Sequence, residues 1–481
     1  MCGLVGIVSR ENNAVPMNYI GLGQLQHRGK DSAGMATAHL KQINHLVKGP
    51  GEVINVFNKD VLSRMHGTSV IGHVRYGTAG KRGTIDCAQP IRGVFRKKYP
   101  FCLGHNGNTV NKKALFRELH FDFSCVDTMS DTQLVVELLS NSRCVNFEDA
   151  LIDVAKKLQG AFNFLVLFGD TIYALTDRFG FHPLMLGKIG NDYIIASESC
   201  VLDHLGGQHI GDIEPGVLLS VNHNGTSSAH WSGTRELHFD IFEYVYFARP
   251  DSIIWGVEVG TARRIVGMIL ADEHPLYRGE SALVVPVPDS GMDAAWGYAE
   301  GLKRKRSGVT FDPNAIVRSH TVSRTFTDPV EAERGPSVHL KLNMRKPVFS
   351  GKDVILVDDS IVRANTMKIV VERVRNCGAK SVSAVIASPM CKYPDIYGID
   401  TNQRPDELVA SRMKGETEHV RDECGLDYLG FVSLEGMISG VLAARSAHSP
   451  LRENSFYLGT FTGEYPDGTG DEAEKISAFT Y

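Results

Sequence analysis

The stretch VILVDDSIVRANT, residues 354–366, constrains the fold more than any other part of the chain. Four apolar residues run into two adjacent acids, and a short loop then opens onto NTMKIVVERVRNCG. There Met367, Val370, Val374 and Cys377 share one helical face, and Gly378 suits the position just past a helix end. The same grammar recurs: SALVVPVPDS leads into MDAAWGYAEGLKRK, and AKSVSAVIASP is another apolar run closed by Ser and Pro. Strands alternating with helices predict a parallel sheet whose ligands gather at the strand C-termini. At such an end Asp358 and Asp359 can hold the vicinal hydroxyls of a sugar and a hard divalent cation. The backbone N–H groups that follow can cradle a phosphate. Alone, an acidic pair of this kind is more often an exposed helix cap. A second turn, Asp289, Ser290 and Gly291, changes that balance, because it opens onto a helix and is suited to a diphosphate and to sharing its metal.

The first ~230 residues follow different rules. Short β-type runs (LVGIVS, TSVIGHV, FNFLVLF, YIIAS, VLLSVN) are separated by Gly, Asn and Asp turns, with helical periodicity in SDTQLVVELLS and FEDALIDVAKKL. Ser130 is placed to start the first of these helices. This half reads as stacked sheets with helices. A polar, turn-rich segment, 223–237, reads as a link between domains, and the last ~35 residues read as a polar, Gly-rich surface tail. The expected division is 2–230, 238–445 and a tail at 446–481.

Composition narrows the classes. With 481 residues, 43% hydrophobic and 22% charged, the chain reads as a soluble protein of two or three domains. A formal charge of −4 gives no reason to expect nucleic acid or an acidic membrane as partner. The nine cysteines form no CxxC pair and are odd in number, which favours reduced thiols and a cytoplasmic setting. Neither a signal peptide nor a membrane-spanning run is recognisable. Cys87, Cys102, Cys125 and Cys200 read as buried small hydrophobes. Cys2 stands apart, because removal of Met1 would give one residue both a thiol nucleophile and a free α-amine near its working pH. The run KRKR at 303–306 reads as a solvated helix end, with a subunit or nucleotide contact as the weaker alternative.

In order along the chain, CGLVGIV, LQHRGKDSAG, GHVRYGTAG, HNGNTVN, SDTQ, ASES and EPG are followed by FEYVYFARPDS, PVPDSG, RTF, LKLN, GKDVILVDDSIVR, ASPM and YGID. This series resembles the glutamine phosphoribosyl-diphosphate amidotransferase family, which acts in purine synthesis, over nearly the whole chain. The resemblance implies an α/β and α+β chain: an N-terminal nucleophile hydrolase αββα sandwich, a class II glutaminase, followed by a type I phosphoribosyltransferase parallel-sheet domain. It implies Cys2 as catalytic nucleophile with its own α-amine as base, and Asn106 and Gly107 as the oxyanion hole. Arg75 and Asp131 would bind glutamine, and His105 is read as structural. The donor site would comprise Asp289, Ser290, Gly291, Arg324, Lys341, Asp358, Asp359, Ser360, Arg363, Ala364, Asn365 and Thr366, with Ser290, Asp358 and Asp359 at the metal. Mg2+ is the implied cofactor, glutamine and phosphoribosyl diphosphate or a related ribosyl donor are the substrates, and ammonia passes internally between the sites. Nucleotide inhibitors and a homo-oligomer, dimer or tetramer, are further implications.

The departures from the family pattern lie mostly in the second half. Ala364 and Asn365 stand where the family has glycine and threonine, and His320, Thr321, Ser323 and His339 replace the usual Arg, Tyr, Gly and Arg. In the first half Cys87 replaces an asparagine. Fixed cations that face phosphates are thereby lost, although the aspartates remain. The clustering leaves two readings, a tolerated variant of the ordinary enzyme or a donor with less or differently placed phosphate, and slightly favours the second. A glutaminase feeding another acceptor, and a degenerate nucleotide sensor, are the remaining alternatives. Asp240, Asp395, Tyr457 and Thr460 stand where some members carry cluster-binding cysteines, so no iron–sulfur cluster is expected.

Overall fold

A computed structural model describes residues 1–11, 13–77, 87–122, 125–126, 128–276, 281–318, 342–398, 401, 408–413 and 415–477. Two antiparallel sheets stack in the first half. The seven-stranded sheet runs, in spatial order, Gln208–Asp212, Met185–Ile189, Asp192–Ala196, Gly3–Val8, Ser69–Arg75, Ser32–His39 and Gln42–Pro50. The six-stranded sheet runs Gly225–His230, Val217–Asn222, Thr171–Thr176, Gly160–Phe168, Tyr99–Thr109 and Ile91–Phe95. Leu4, Val8, Ile71, Cys102, Leu165, Leu167 and Ile172 fill the space between the sheets. Helices cover both outer faces: Ala14–Gln24 and Cys200–Leu205 on one, Asp131–Ser140 and Phe147–Lys157 on the other. The layers are αββα, as expected.

Gly3–Val8 is buried at every position and pairs on both edges, Val5 with Ala196 on one side and with Gly72 on the other. That double ladder removes the fraying that a chain end ordinarily suffers. Ser130 caps the helix Asp131–Ser140, its side chain accepting from Gln133 N–H in a full capping box.

The second half is a five-stranded parallel sheet in the order Val309–Phe311, Ala282–Pro286, Asp353–Asp358, Ser381–Ile386 and Tyr428–Phe431. Ile355 and Val357 face the helices Val259–Glu273, Met292–Lys305 and Leu434–Ala443, and Val354 and Leu356 face Asn365–Asn376 and Thr417–Cys424. Burial on both faces explains the continuous apolar runs that the sequence shows there. Lys303, Arg304 and Lys305 form an exposed helix end, with Arg304 paired to Glu300 and Lys305 to Asp272, the sign of charge that a helix C-terminus favours.

Three expectations are corrected. Residues 225–230, inside the segment read as a link, form the edge strand beside Val217–Asn222. Cys125 is exposed, whereas Cys87, Cys102 and Cys200 are buried. The largest correction is the tail. Leu451 is fully buried, Phe456–Tyr457 pairs in parallel with Phe239–Asp240, and Asp467 Oδ2 accepts from Gly160 N–H at 2.7 Å. The polar composition there is used in hydrogen bonds to the first half, while a few apolar residues, Leu451, Phe456 and Phe461, carry the packing. Phe456→Ala is therefore expected to cost about 3–5 kcal/mol in a denaturant titration. A midpoint equal to the parent's would mean that the segment is not part of the core.

Candidate active sites

Cys2 is half-buried immediately before the central strand. Its backbone N–H donates to Asn106 Oδ1 at 2.7 Å, and its carbonyl accepts from Arg28 Nε–H at 2.9 Å. Tyr76 N–H points at Cys2 Sγ from 3.4 Å, so the end of the strand Ser69–Arg75 reaches the thiol. Asn106 Nδ2 is buried and has no hydrogen-bond partner among the described residues, which makes it a donor poised beside the thiol's residue. Gly107 follows at φ +147, and a Cβ there would stand 2.0 Å from the Ala161 carbonyl oxygen, so only glycine fits. Burial pushes the Met1 amine down to about 6, which shows how strongly this end of the chain is desolvated.

Arg75 is buried and pairs with Asp31. Asp131, also buried, accepts from Thr109 N–H at 2.9 Å and lies 3.3 Å from Lys112 Nζ. Each therefore has structural partners as well as a place near the strand that carries Asn106. Burial pushes His105 down to about 4, leaving a neutral ring against Phe164, in keeping with a structural residue. Sequence reasoning passed over Arg28, Glu198 and Glu243, which are wholly buried together under Cys2. The signal was available only as an arginine within LQHRGKDSAG and acids within ASES and FEYVYFARPDS, three segments far apart in sequence.

At the second centre, Asp289 to Gly291 and Asp358 to Thr366 follow adjacent parallel strands, Ala282–Pro286 and Asp353–Asp358. Gly291 is packed so closely that a Cβ would meet the Val357 carbonyl oxygen at 2.5 Å and that of Val287 at 2.8 Å. Asp358 and Asp359 are both buried, and Asp359 N–H donates to Asp358 Oδ1 at 3.0 Å. Ser360 Oγ–H donates to Asp359 at 2.6 Å, and Ser290 also bonds that carboxylate. Burial, and then the charge of Asp359, push the Asp358 carboxyl well above its usual range. Two crowded oxygen donors with a hydroxyl beside them suit a hard divalent cation that also takes ligands from a substrate. Among the described residues no group of three or more His, Cys, Asp or Glu is placed to hold a metal by itself. Asp289 is exposed and paired with Arg318. Arg324 and Lys341, with His320, Thr321, Ser323 and His339, lie outside the described residues.

Ala364, where glycine was expected, has φ +65 and ψ −7 as the N-cap of the helix Asn365–Asn376. The loop demands a left-handed residue, and alanine accepts it at a cost of about 1–2 kcal/mol. The four positions Asp240, Asp395, Tyr457 and Thr460 are all buried and come together. Asp240 lies opposite Tyr457 in register, and Thr460 Oγ1 is 3.4 Å from Asp395. Two carboxyls, a phenol and a hydroxyl do not match the thiolates that an iron–sulfur cluster takes.

These two centres define a glutamine amidotransferase unit joined to a phosphoribosyltransferase unit. Family models agree: a glutamine amidotransferase domain matches residues 83–204 and a phosphoribosyl transferase domain matches 261–411. Amidophosphoribosyltransferase of Bacillus subtilis is 37% identical over 97% of this chain and 94% of its own. That of Archaeoglobus fulgidus is 37% identical over 98% and 100%. A solved structure of the B. subtilis glutamine phosphoribosylpyrophosphate amidotransferase, complexed with ADP and GMP, superposes with a TM-score of 0.86 at 34% identity, covering 97% of this chain and 98% of that one. The chain belongs to the amidophosphoribosyltransferase family. Its altered loop is accordingly a variant within that family, which corrects the slight preference for a different donor.

Because Gly291 has no room for a side chain, Gly291→Ala is expected to lower donor-dependent turnover by roughly tenfold or more through forced displacement of the loop. Glutamate release from glutamine should persist. Unchanged turnover with phosphoribosyl diphosphate would show that the close approach is not functional.

Proposed function

We propose that the chain hydrolyses glutamine at Cys2 and passes the ammonia internally to C1 of phosphoribosyl diphosphate, giving phosphoribosylamine and diphosphate. The observation that carries this reading is the hydrogen bond from Cys2 N–H to Asn106, whose Nδ2 has no partner among the described residues, in one half, and the grouping of the buried Asp358 and Asp359 with Ser290 in the other.

In the first half, residues 2–230, loss of Met1 frees the Cys2 α-amine, which takes the thiol proton as Sγ attacks the glutamine side-chain amide. Asn106 Nδ2 and Gly107 N–H hold the oxyanion, each such donor being worth about 3–4 kcal/mol in the transition state. The amine returns its proton to the leaving ammonia, and water then releases glutamate from the thioester. Arg75 and Asp131 hold the glutamine carboxylate and α-amino group, supported by Asp31 and Lys112.

In the second half, 238–445, Asp358 and Asp359 take the ribose hydroxyls. Mg2+, when bound with the donor at Ser290, Asp358 and Asp359, supplies charge neutralisation for the departing diphosphate. Asp289 to Gly291 receive that diphosphate. Ser360, Arg363, Ala364, Asn365 and Thr366 surround the 5′-phosphate at the N-terminus of the helix Asn365–Asn376. Arg324 and Lys341, outside the described residues, complete the donor-binding residues of the proposal. Nucleotide inhibition, homo-oligomerisation and a cytoplasmic location complete the proposal. Nucleotide binding is supported by the likeness to the B. subtilis enzyme complexed with ADP and GMP. Among the described residues no helix is long and apolar enough to cross a membrane.

Two measurements test the reading. Cys2→Ser should reduce glutamate release to background while ammonia-dependent turnover of phosphoribosyl diphosphate continues. Glutamate release at the parent rate would refute Cys2 as nucleophile, and loss of both activities would refute separate centres. Ala364→Gly removes a methyl group beside the phosphate loop and relieves the left-handed strain. It should lower KM for phosphoribosyl diphosphate several-fold, or about 1 kcal/mol. An unchanged or raised KM would place the 5′-phosphate elsewhere.

A further inference from the structure

Beneath Cys2 lies a buried ion cluster that the glutaminase chemistry does not itself use. Arg28, on the short turn Gln26–Arg28, is 1% exposed, and Glu198 and Glu243 are wholly buried. Arg28 Nε–H donates to the Cys2 carbonyl at 2.9 Å. Its two terminal nitrogens clasp Glu243, Nη2 to Oε1 at 2.5 Å and Nη1 to Oε2 at 3.0 Å, and Nη1 also donates to Glu198 at 2.5 Å. Glu198 has other duties, accepting from His27 or bound to it at 2.8 Å, from Arg249 N–H at 2.9 Å and from Ser252 Oγ–H at 2.7 Å.

Glu243 is different in two respects. Its carboxylate is clasped by Arg28 in fork geometry, the arrangement that fixes a guanidinium in orientation as well as in place. It also comes from the second half, as the first residue of the π-helical turn Glu243–Phe247 that follows Phe239–Asp240. Turns of this kind are rare and recur at functional positions. The next two residues, Tyr244 and Val245, line a cavity with Ser290 and Asp359, and Phe247 meets Tyr76 edge-on at 6.4 Å.

We propose that Glu243 is a positioning residue for glutamine hydrolysis, acting through Arg28 to fix the Cys2 carbonyl and hence the aim of the thiol. Cys2 is held at its N–H by Asn106 and at its carbonyl by Arg28, so the direction of Cα–Cβ is set by those two anchors. Asn106 belongs to the first half, but the second anchor takes its orientation from a carboxylate of the other half. The glutaminase centre is thus completed by the phosphoribosyltransferase part of the chain. The side chains of Arg75 and Asp131, the groups proposed to bind glutamine, are held by Asp31 and by Thr109 N–H and Lys112 respectively, not by this clasp. Loosening it should therefore disturb the reacting atom more than substrate affinity.

The inference rests on Cys2 as nucleophile, and the test separates the two. In the full chain, Glu243→Gln keeps the size of the side chain and removes its charge, and Glu243→Asp keeps the charge one methylene further away. Glu243→Gln should lower kcat for glutamate release by roughly 10- to 100-fold, as small misplacements of reacting groups do. KM for glutamine should stay within about threefold and ammonia-dependent turnover within about twofold of the parent. Glu243→Asp should fall between the parent and the Gln variant, and it carries the kcat-against-KM test by itself if the Gln variant is insoluble. A kcat equal to the parent's, a matching fall in ammonia-dependent turnover, or equal damage from Gln and Asp would overturn the proposal. Glutamate release by Cys2→Ser would instead overturn the assignment of the nucleophile.

Discussion

Cys2, the proposed nucleophile, can act only if its end of the strand does not move, and two hydrogen bonds hold it. Asn106 takes the N–H of Cys2 and Arg28 takes its carbonyl, while Gly3–Val8 behind it is zipped into the middle of a seven-stranded sheet. Each anchor has its own support. Asn106 lies on the strand Tyr99–Thr109 in register with Asn163, and Arg28 is neutralised by two buried carboxylates. A lone guanidinium in that interior would face a large desolvation penalty, so the two glutamates are a condition for burying it at all.

The second centre depends on a comparable compromise. The ends of two neighbouring parallel strands bring Asp358, Asp359 and Ser290 together, and Gly291 lets the loop cross within contact of the Val357 carbonyl. The carboxyl pair is strained electrostatically, since burial and mutual repulsion both oppose its full charge. Such a pair is stabilised by a cation arriving with a polyanionic donor. The two centres share one body of packing: a single hydrophobic cluster runs from Met1 and Val5 through Phe239 and Phe242 to Val284 and Val357.

How much of this was legible beforehand depended on the range of the interactions. Strands and helices with local patterns, such as Met292–Lys305, Asn365–Asn376 and the capped helix after Ser130, stood in the sequence with nearly their observed limits. Motifs that carry chemistry in consecutive residues were legible for the same reason. The clasp of Arg28 by Glu198 and Glu243 was not, because its members are separated by 170 and 215 positions and nothing local marks them. The C-terminal segment misled for a related reason. Its composition is that of a solvated tail, and its burial comes from a few residues docking on surfaces made elsewhere. Ala364 stands in the sequence as a missing glycine, but only the structure gives the reason, a left-handed backbone that the loop retains without one.

The central claim is that nitrogen released at Cys2 travels inside the protein to the second centre. Glutamine labelled with 15N in its side-chain amide, supplied with phosphoribosyl diphosphate and Mg2+ in a large excess of unlabelled ammonium at a pH where ammonia itself reacts poorly, tests it directly. The account predicts phosphoribosylamine carrying the label nearly undiluted. Label diluted to the isotopic ratio of the bulk ammonium would contradict it.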